Sequence, residues 1–197
     1  MILNNQQDNW DHYKQNNNRV PGEQITKNWG IDQRQKAIMM MIPTNGTILD
    51  LGTADGSLLI LLYKQGYVIN GIGIDLWEDG IKWGQQYCKN LPITLSVGAV
   101  EHYKGEQADY VILGEVLEHV IDPVEVLKVA RANGKSVIIT VPIARPPITE
   151  KEKETLDEHV RQYTLETLTT DCEAVGLKVQ EAVQVGQGWV SLVVRCI

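Results

Sequence analysis

The chain has 197 residues, with Lys+Arg 18 against Asp+Glu 25, a net charge of −7 and 43% hydrophobic residues. That length fits one domain with a single sizeable core, spanning 1–197. The acidic balance speaks against a generic nucleic-acid binder, whose affinity rests on phosphate contacts, and against docking on an anionic membrane. Cys88, Cys172 and Cys196 form no Cys-x-x-Cys pair, so neither a disulfide framework nor a thiolate zinc site is predicted. Met1 to Leu3 run directly into Asn and Gln, and no apolar stretch reaches the length of a membrane span. A cytoplasmic location is expected.

Residues 1–20 are polar and Asn/Gln-rich, with Trp10 and Tyr13 the only large anchors. Segment 1–22 is therefore predicted as a flexible arm or a ligand-induced cap. Residues 23–42 read as a helix ending before Pro43, and Thr47 to Leu51 as a short apolar strand. The apolar run from Ser57 to Gln65 reads as a helix stopped by Gly66. Gly71 to Leu76 is a second strand, followed by a helix near 78–89. Ile93 to Val97 and Tyr110 to Leu113 are further strands. Val124 to Ala132 is helical and Ser136 to Val141 is a fifth strand. The Pro- and charge-rich stretch 142–160 is predicted as a lid that sets specificity. Thr164 to Val175 is a helix stopped by Gly176. Leu177 to Val185 and Trp189 to Cys196 then form a hairpin around Gly186 and Gly188. Such alternation, with fully apolar strands, predicts a mostly parallel sheet covered on both faces, the hairpin adding antiparallel strands at one edge.

Two stretches carry chemistry. The first strand ends in Asp50 and enters the turn Gly52, Thr53, Ala54, Asp55, Gly56 ahead of a helix. Glycines let the backbone approach a ligand, and a helix N-terminus offers unpaired N–H groups. Ala54 and Ser57 stand where a dinucleotide fingerprint would have its second and third glycines. A carboxylate at the strand end repels pyrophosphate and suits an ammonium or sulfonium group. Asp75 ends the second strand, where an acid commonly accepts hydrogen bonds from ribose hydroxyls; capping the next helix is its other reading. Together these features favour an adenosyl ligand without a pyrophosphate. The second stretch is Gly114 to Val120. If the chain turns helical after the fourth strand, Glu115, Glu118 and His119 share one face at i, i+3 and i+4. Like charges gathered at the C-terminal edge of a sheet repel, and a cation would relieve them. The competing reading is a solvated loop with a capping histidine.

On these residues the chain resembles the class I S-adenosylmethionine-dependent methyltransferases over about residues 35–185. The resemblance implies an α/β, Rossmann-like three-layer sandwich, with a seven-stranded, mostly parallel sheet and an antiparallel last strand. It implies that Asp50, Gly52, Thr53, Ala54 and Gly56 cradle the methionine part of S-adenosylmethionine. Asp75 would hold the ribose beside Leu76, and Gly98, Ala99, Val100 and Gly114 would complete the cofactor site. The family often has Asp where this chain has Ala99, and Gly where it has Ala54. Glu115 to Val120, with the later run Glu158 to Thr164, is similar to ubiquinone-pathway O-methyltransferases and more distantly to small-RNA 2′-O-methyltransferases. That likeness implies a divalent cation such as Mg²⁺ on Glu115, Glu118, His119 and His159, with His119 and Glu115 as catalytic groups. The implied activity is O-methylation of a small molecule with adjacent hydroxyls. The alternatives are a metal-independent methyltransferase acting on carbon, nitrogen or a carboxylate, and a non-catalytic cofactor-binding module. The implied partner is a small-molecule substrate, not a nucleic acid. Arg34 is expected on a solvated helix face or against the methionine carboxylate. Arg161 and Tyr163 are expected at the substrate entrance or as anchors of the insertion.

Overall fold

A computed structural model of the protein describes residues 7, 10, 11, 19–27, 30–143, 159–186 and 190–197. Most of the arm assigned to 1–22 and of the lid assigned to 142–160 lies outside the described residues, as do His12, Tyr13, Trp29 and Trp189.

Ahead of the sheet, the described residues include the helices α1 (Glu23–Thr26) and α2 (Gln33–Met40), after which strands and helices alternate. These are β1 (Gly46–Leu51), α3 (Ser57–Lys64), β2 (Val68–Asp75), α4 (Glu78–Tyr87), β3 (Ile93–Val97) and β4 (Ala108–Gly114). There follow α5 (Pro123–Asn133), β5 (Gly134–Pro142), α6 (Leu165–Ala174), β6 (Val179–Val185) and β7 (Ser191–Cys196). The sheet order is β3-β2-β1-β4-β5-β7-β6. Pairings from β3 across to β5 are parallel, and β7 is antiparallel to both β5 and β6. This is the seven-stranded sheet that the resemblance implied. The hairpin differs from the expectation in one respect: β7 threads between β5 and β6, so the edge strand β6 runs with the parallel set.

Successive side chains point to opposite faces of a strand, and here both faces are apolar. Leu49, Val111 and Ile139 pack with Leu127 of α5 and Leu168 of α6 on one side. Ile48, Ile112 and Ile138 pack with Ile38 of α2, Ile60 of α3 and Ile81 of α4 on the other. The three layers follow.

Two elements depart from the sequence reading. The helix expected over 23–42 is two helices, because Asp32 starts α2 afresh. Its carboxylate accepts from Gln35 N–H at 2.7 Å while Gln35 Oε1 accepts from Asp32 N–H at 3.0 Å, a capping box. The helix expected after β4 does not form. Residues 117–119 make a single turn, closed by His119 N–H on Val116 O at 3.0 Å. Glu115 leaves the strand at φ 57, a left-handed conformation from which no right-handed helix can propagate. Glu115, Glu118 and His119 therefore do not share a helical face.

The chain winds outward from β1 to β3, then crosses back to β4 on the other side of β1. Ligand crevices of open α/β sheets lie at such a reversal, beyond the carboxyl ends of the strands. Among the described residues no helix is long and apolar enough to cross a membrane.

Candidate active site

The turn after β1 is locked by bonds that converge from three parts of the chain. Gly52 and Thr53 N–H both reach Ile74 O, at 2.9 and 3.1 Å. Gly52 has φ 86, and a Cβ there would lie 2.4 Å from Val116 Cγ2, so any side chain would push the β4 turn away. Asp75 spans the turn and the next helix: Oδ2 accepts from Ala54 N–H and Oδ1 from Trp77 N–H, both at 2.8 Å. Asp55 accepts from Ser57 N–H at 3.0 Å and from Gly22 N–H at 2.7 Å, fastening the segment before α1 onto the turn.

Ala54 sits at φ 55, a conformation that costs a residue with a Cβ about 1–2 kcal/mol. Ala54→Gly is therefore expected to raise stability by about 0.5 kcal/mol, once the extra chain entropy of glycine is subtracted. Urea titration of the two proteins reads the difference directly.

Asp50, at the end of β1, is buried, and its Oδ2 accepts from Thr53 Oγ1 at 2.8 Å. Burial pushes its carboxyl up to about 7; the Thr53 bond opposes that, and the nearby Asp75 charge adds to it.

A cleft of about 430 Å³ opens over the turn, lined by Asp50, Gly52, Thr53, Ala54, Gly114 and Glu115 among others. It joins a slot lined by Asp75, Leu76, Gly98, Val100 and Glu101, the two sharing Arg19, Gly52, Gly114, Glu115 and His119. The structure thus brings together nearly all the residues expected to hold a cofactor. Two stand apart: Gly56 is the N-cap of α3, with Leu95 packed against it, and Ala99 is buried; neither lines the cleft. Glu101, two positions beyond Ala99, brings a carboxylate to the slot instead. Trp10 also lines the slot and packs edge-on against His102, ring centroids 5.1 Å apart.

At the other end of the cleft, Glu118, His119 and His159 present ligand atoms that all lie within 4.8 Å of one another. His119 Nε2 is 3.8 Å from Glu118 Oε1, and the two imidazoles stand edge to face at 4.8 Å. His159 is brought there by its neighbours: Val160 N–H bonds Glu118 O at 2.8 Å, and Arg161 Nη2 bonds the carbonyls of Val120 and Ile121 at 2.9 and 2.5 Å. Tyr163 is fully buried with its hydroxyl on Asp171 Oδ2 at 3.3 Å, so it and Arg161 act as anchors here. Glu118 is 1% exposed, and neither carboxylate oxygen has a hydrogen-bond partner. Burial first, and then the charge of Glu115, raise its carboxyl well above the usual range.

Glu115 stands outside that group. Its Oε1 accepts from Thr140 Oγ1 at 2.9 Å and lies 3.8 Å from Arg34 Nη1, and its N–H bonds Thr140 O at 2.9 Å. Sequence reasoning passed over Thr140. The signal was available: a hydroxyl at the carboxyl end of an apolar strand, in register with Gly114 of β4.

Sheet order and reversal point define a Rossmann-like domain with a cleft over the β1 turn. Residues 19–182 match the family described as methyltransferase domain, so the protein belongs to that family. No curated protein matches the chain in sequence. Among solved structures, the chain is similar to a Haloferax volcanii protein described as a methyltransferase and solved with the Trm112 methyltransferase activator. The identity is 15% and the TM-score 0.76, covering 95% of this chain and 96% of that one. A Bacillus halodurans protein described as a methyltransferase is similar at 14% identity and TM-score 0.68, covering 82% and 97%. The Burkholderia thailandensis 1,6-didemethyltoxoflavin-N1-methyltransferase, solved with 1,6-didemethyltoxoflavin and S-adenosylhomocysteine, is similar at 16% identity and TM-score 0.67, covering 89% and 81%. At these identities the likeness is one of fold.

Proposed function

We propose that the protein transfers the methyl group of S-adenosylmethionine to a hydroxyl oxygen of a small molecule. The observation that carries this reading is the locked turn with Asp75 beneath a ligand-sized cleft. Asp75, bonded to Ala54 and Trp77, also lines the slot, at the strand end where an acid commonly holds ribose hydroxyls. The buried Asp50 carboxyl in the cleft wall favours a cationic ligand over a phosphate. In the transfer, the bond from sulfur to the methyl carbon breaks as the bond from oxygen to carbon forms. The hydroxyl proton leaves to His119 or water, and S-adenosylhomocysteine remains.

Glu118, His119 and His159 fit a divalent cation, since the buried Glu118 carboxylate has no hydrogen bond among the described residues and two imidazoles lie beside it. A cation held there would supply Lewis acidity that eases loss of the hydroxyl proton. Glu115, bonded to Thr140 and beside Arg34, would shape the wall next to it. One observation favours a second, metal-free reading: only three ligands converge, and His119 lines the cleft, where its imidazole can act as a general base. Full activity in chelator-treated protein selects the second reading.

Calorimetric titration with S-adenosylhomocysteine tests the central proposal; tighter binding of NAD would overturn it. The titration should also depend on pH. Asp50 has a raised carboxyl, so its contribution to the stability of the free protein is complete below its unfolded value of 3.8 and is lost as pH rises through about 7. A ligand ammonium favours the ionised form. Affinity for S-adenosylhomocysteine is therefore expected to tighten between about pH 6 and 8, with proton release on binding, and Asp50→Asn should flatten the profile.

A further inference from the structure

A third cavity, of about 440 Å³, lies beyond the donor cleft, bounded by Asp32, Gln33, Arg34, Glu115, Val185 and Ser191. Arg34 and Glu115 line the donor cleft as well, so the two spaces meet at that pair. We propose that this chamber binds the methyl acceptor, and that the acceptor is a small organic acid whose carboxylate is held by the Arg34 guanidinium. The proposal rests on the methyltransferase reading above for the direction of transfer.

Position comes first. In-line transfer requires the acceptor in contact with the donor. A chamber that shares a wall with the donor cleft meets that requirement, and its volume suits a small molecule. Glu115 borders this chamber, the cleft and the slot alike. Its left-handed backbone is held by three bonds to Thr140, so the dividing wall is fixed by the fold.

The chemistry of the lining then selects the ligand. Its acids and amide are already engaged. Asp32 caps α2 through Gln35 N–H at 2.7 Å. Gln33 Oε1 accepts from Gly186 N–H at 2.9 Å, pinning the end of β6 to α2. Glu115 accepts from Thr140. Arg34 differs. It is the one cationic side chain among the described lining residues, its side chain is 29% exposed, and it makes no hydrogen bond to any described residue. Its one ion-pair partner among the described residues, Glu115, is 3.8 Å away, beyond hydrogen-bond reach. A guanidinium carries five donors in a fork that matches a carboxylate. An acid held by that fork extends past Glu115 toward the donor.

The test uses full-length protein saturated with S-adenosylhomocysteine, so that the methionine carboxylate is already in place. A ligand-observed NMR screen compares matched pairs of small carboxylic acids (aliphatic, 2-hydroxy and benzoic) with their neutral carboxamides. Acids are expected to bind in preference to their amides. Arg34→Gln should weaken them by about ten- to a hundredfold. Arg34→Lys should recover part of that loss, and S-adenosylhomocysteine affinity should hold within a few-fold in both variants. Equal binding of acids and amides, no binding by any acid, or acid binding unchanged in Arg34→Gln overturns the proposal. A large loss of S-adenosylhomocysteine affinity in Arg34→Gln also overturns it, placing the guanidinium on the donor instead. If S-adenosylhomocysteine fails to bind the wild-type protein at all, it is the methyltransferase reading that falls.

Discussion

Replacing Asp75 by alanine is expected to weaken S-adenosylhomocysteine binding by about a hundredfold and to destabilise the protein by roughly 2–4 kcal/mol. Both effects come from one buried carboxylate. It holds the N–H groups of Ala54 and Trp77 at 2.8 Å, and without it one donor in the turn and one at the start of α4 lose their acceptor. Ala54, already at φ 55, then loses the bond that keeps its strained backbone in place. The ribose contact is the second loss. Asp75→Asn separates the two: an amide of the same shape can accept one backbone N–H but turns its NH2 toward the other, so only part of the stability should return while affinity stays low. Urea denaturation and calorimetry on the three proteins read the terms independently. Unchanged affinity in Asp75→Ala would remove the ribose assignment even if the fold suffered.

Glu118→Met is expected to have the opposite effect on stability. A carboxylate buried without a hydrogen bond is expensive in either protonation state, because neither oxygen regains what it loses by leaving water. Methionine has a similar volume and no such cost, so the metal-free protein should gain about 1–3 kcal/mol. For a domain of this size that is a rise of several degrees in melting temperature. The same substitution should abolish cation binding. Adding Mn²⁺ is expected to raise the melting temperature of the wild-type protein and leave Glu118→Met unmoved. A destabilised variant would mean that the carboxylate holds the turn together. A wild-type protein indifferent to Mn²⁺ would leave His119 to act as base alone.

Among the described residues, much of the frame was legible before any coordinates. The strands stand out as apolar runs because both faces of the sheet are covered. Gly66 and Gly176 stop helices with φ 83 and 79, where only a residue without a Cβ is free of strain. Asp50, Gly52 and Asp75 could be placed because strand ends and tight turns are local features. The run Glu115 to His119 was misjudged, since its spacing fits a helix that the left-handed backbone at Glu115 prevents. Nothing local announces that conformation in a glutamate; the pull of Thr140, twenty-five positions away, holds it.

Sequence by itself determined the class of sheet, the place of the glycine turn and the acids that flank it. All of these depend on periodicity or on the conformational limits of single residues. The tertiary structure alone decided which side chains meet. Val160 N–H on Glu118 O draws His159 to His119, and the carboxyl ends of β4 and β5 set Glu115 between Thr140 and Arg34. Contacts between residues far apart in the chain carry no spacing to read. They follow from strand register and from the burial of groups that must find partners away from water.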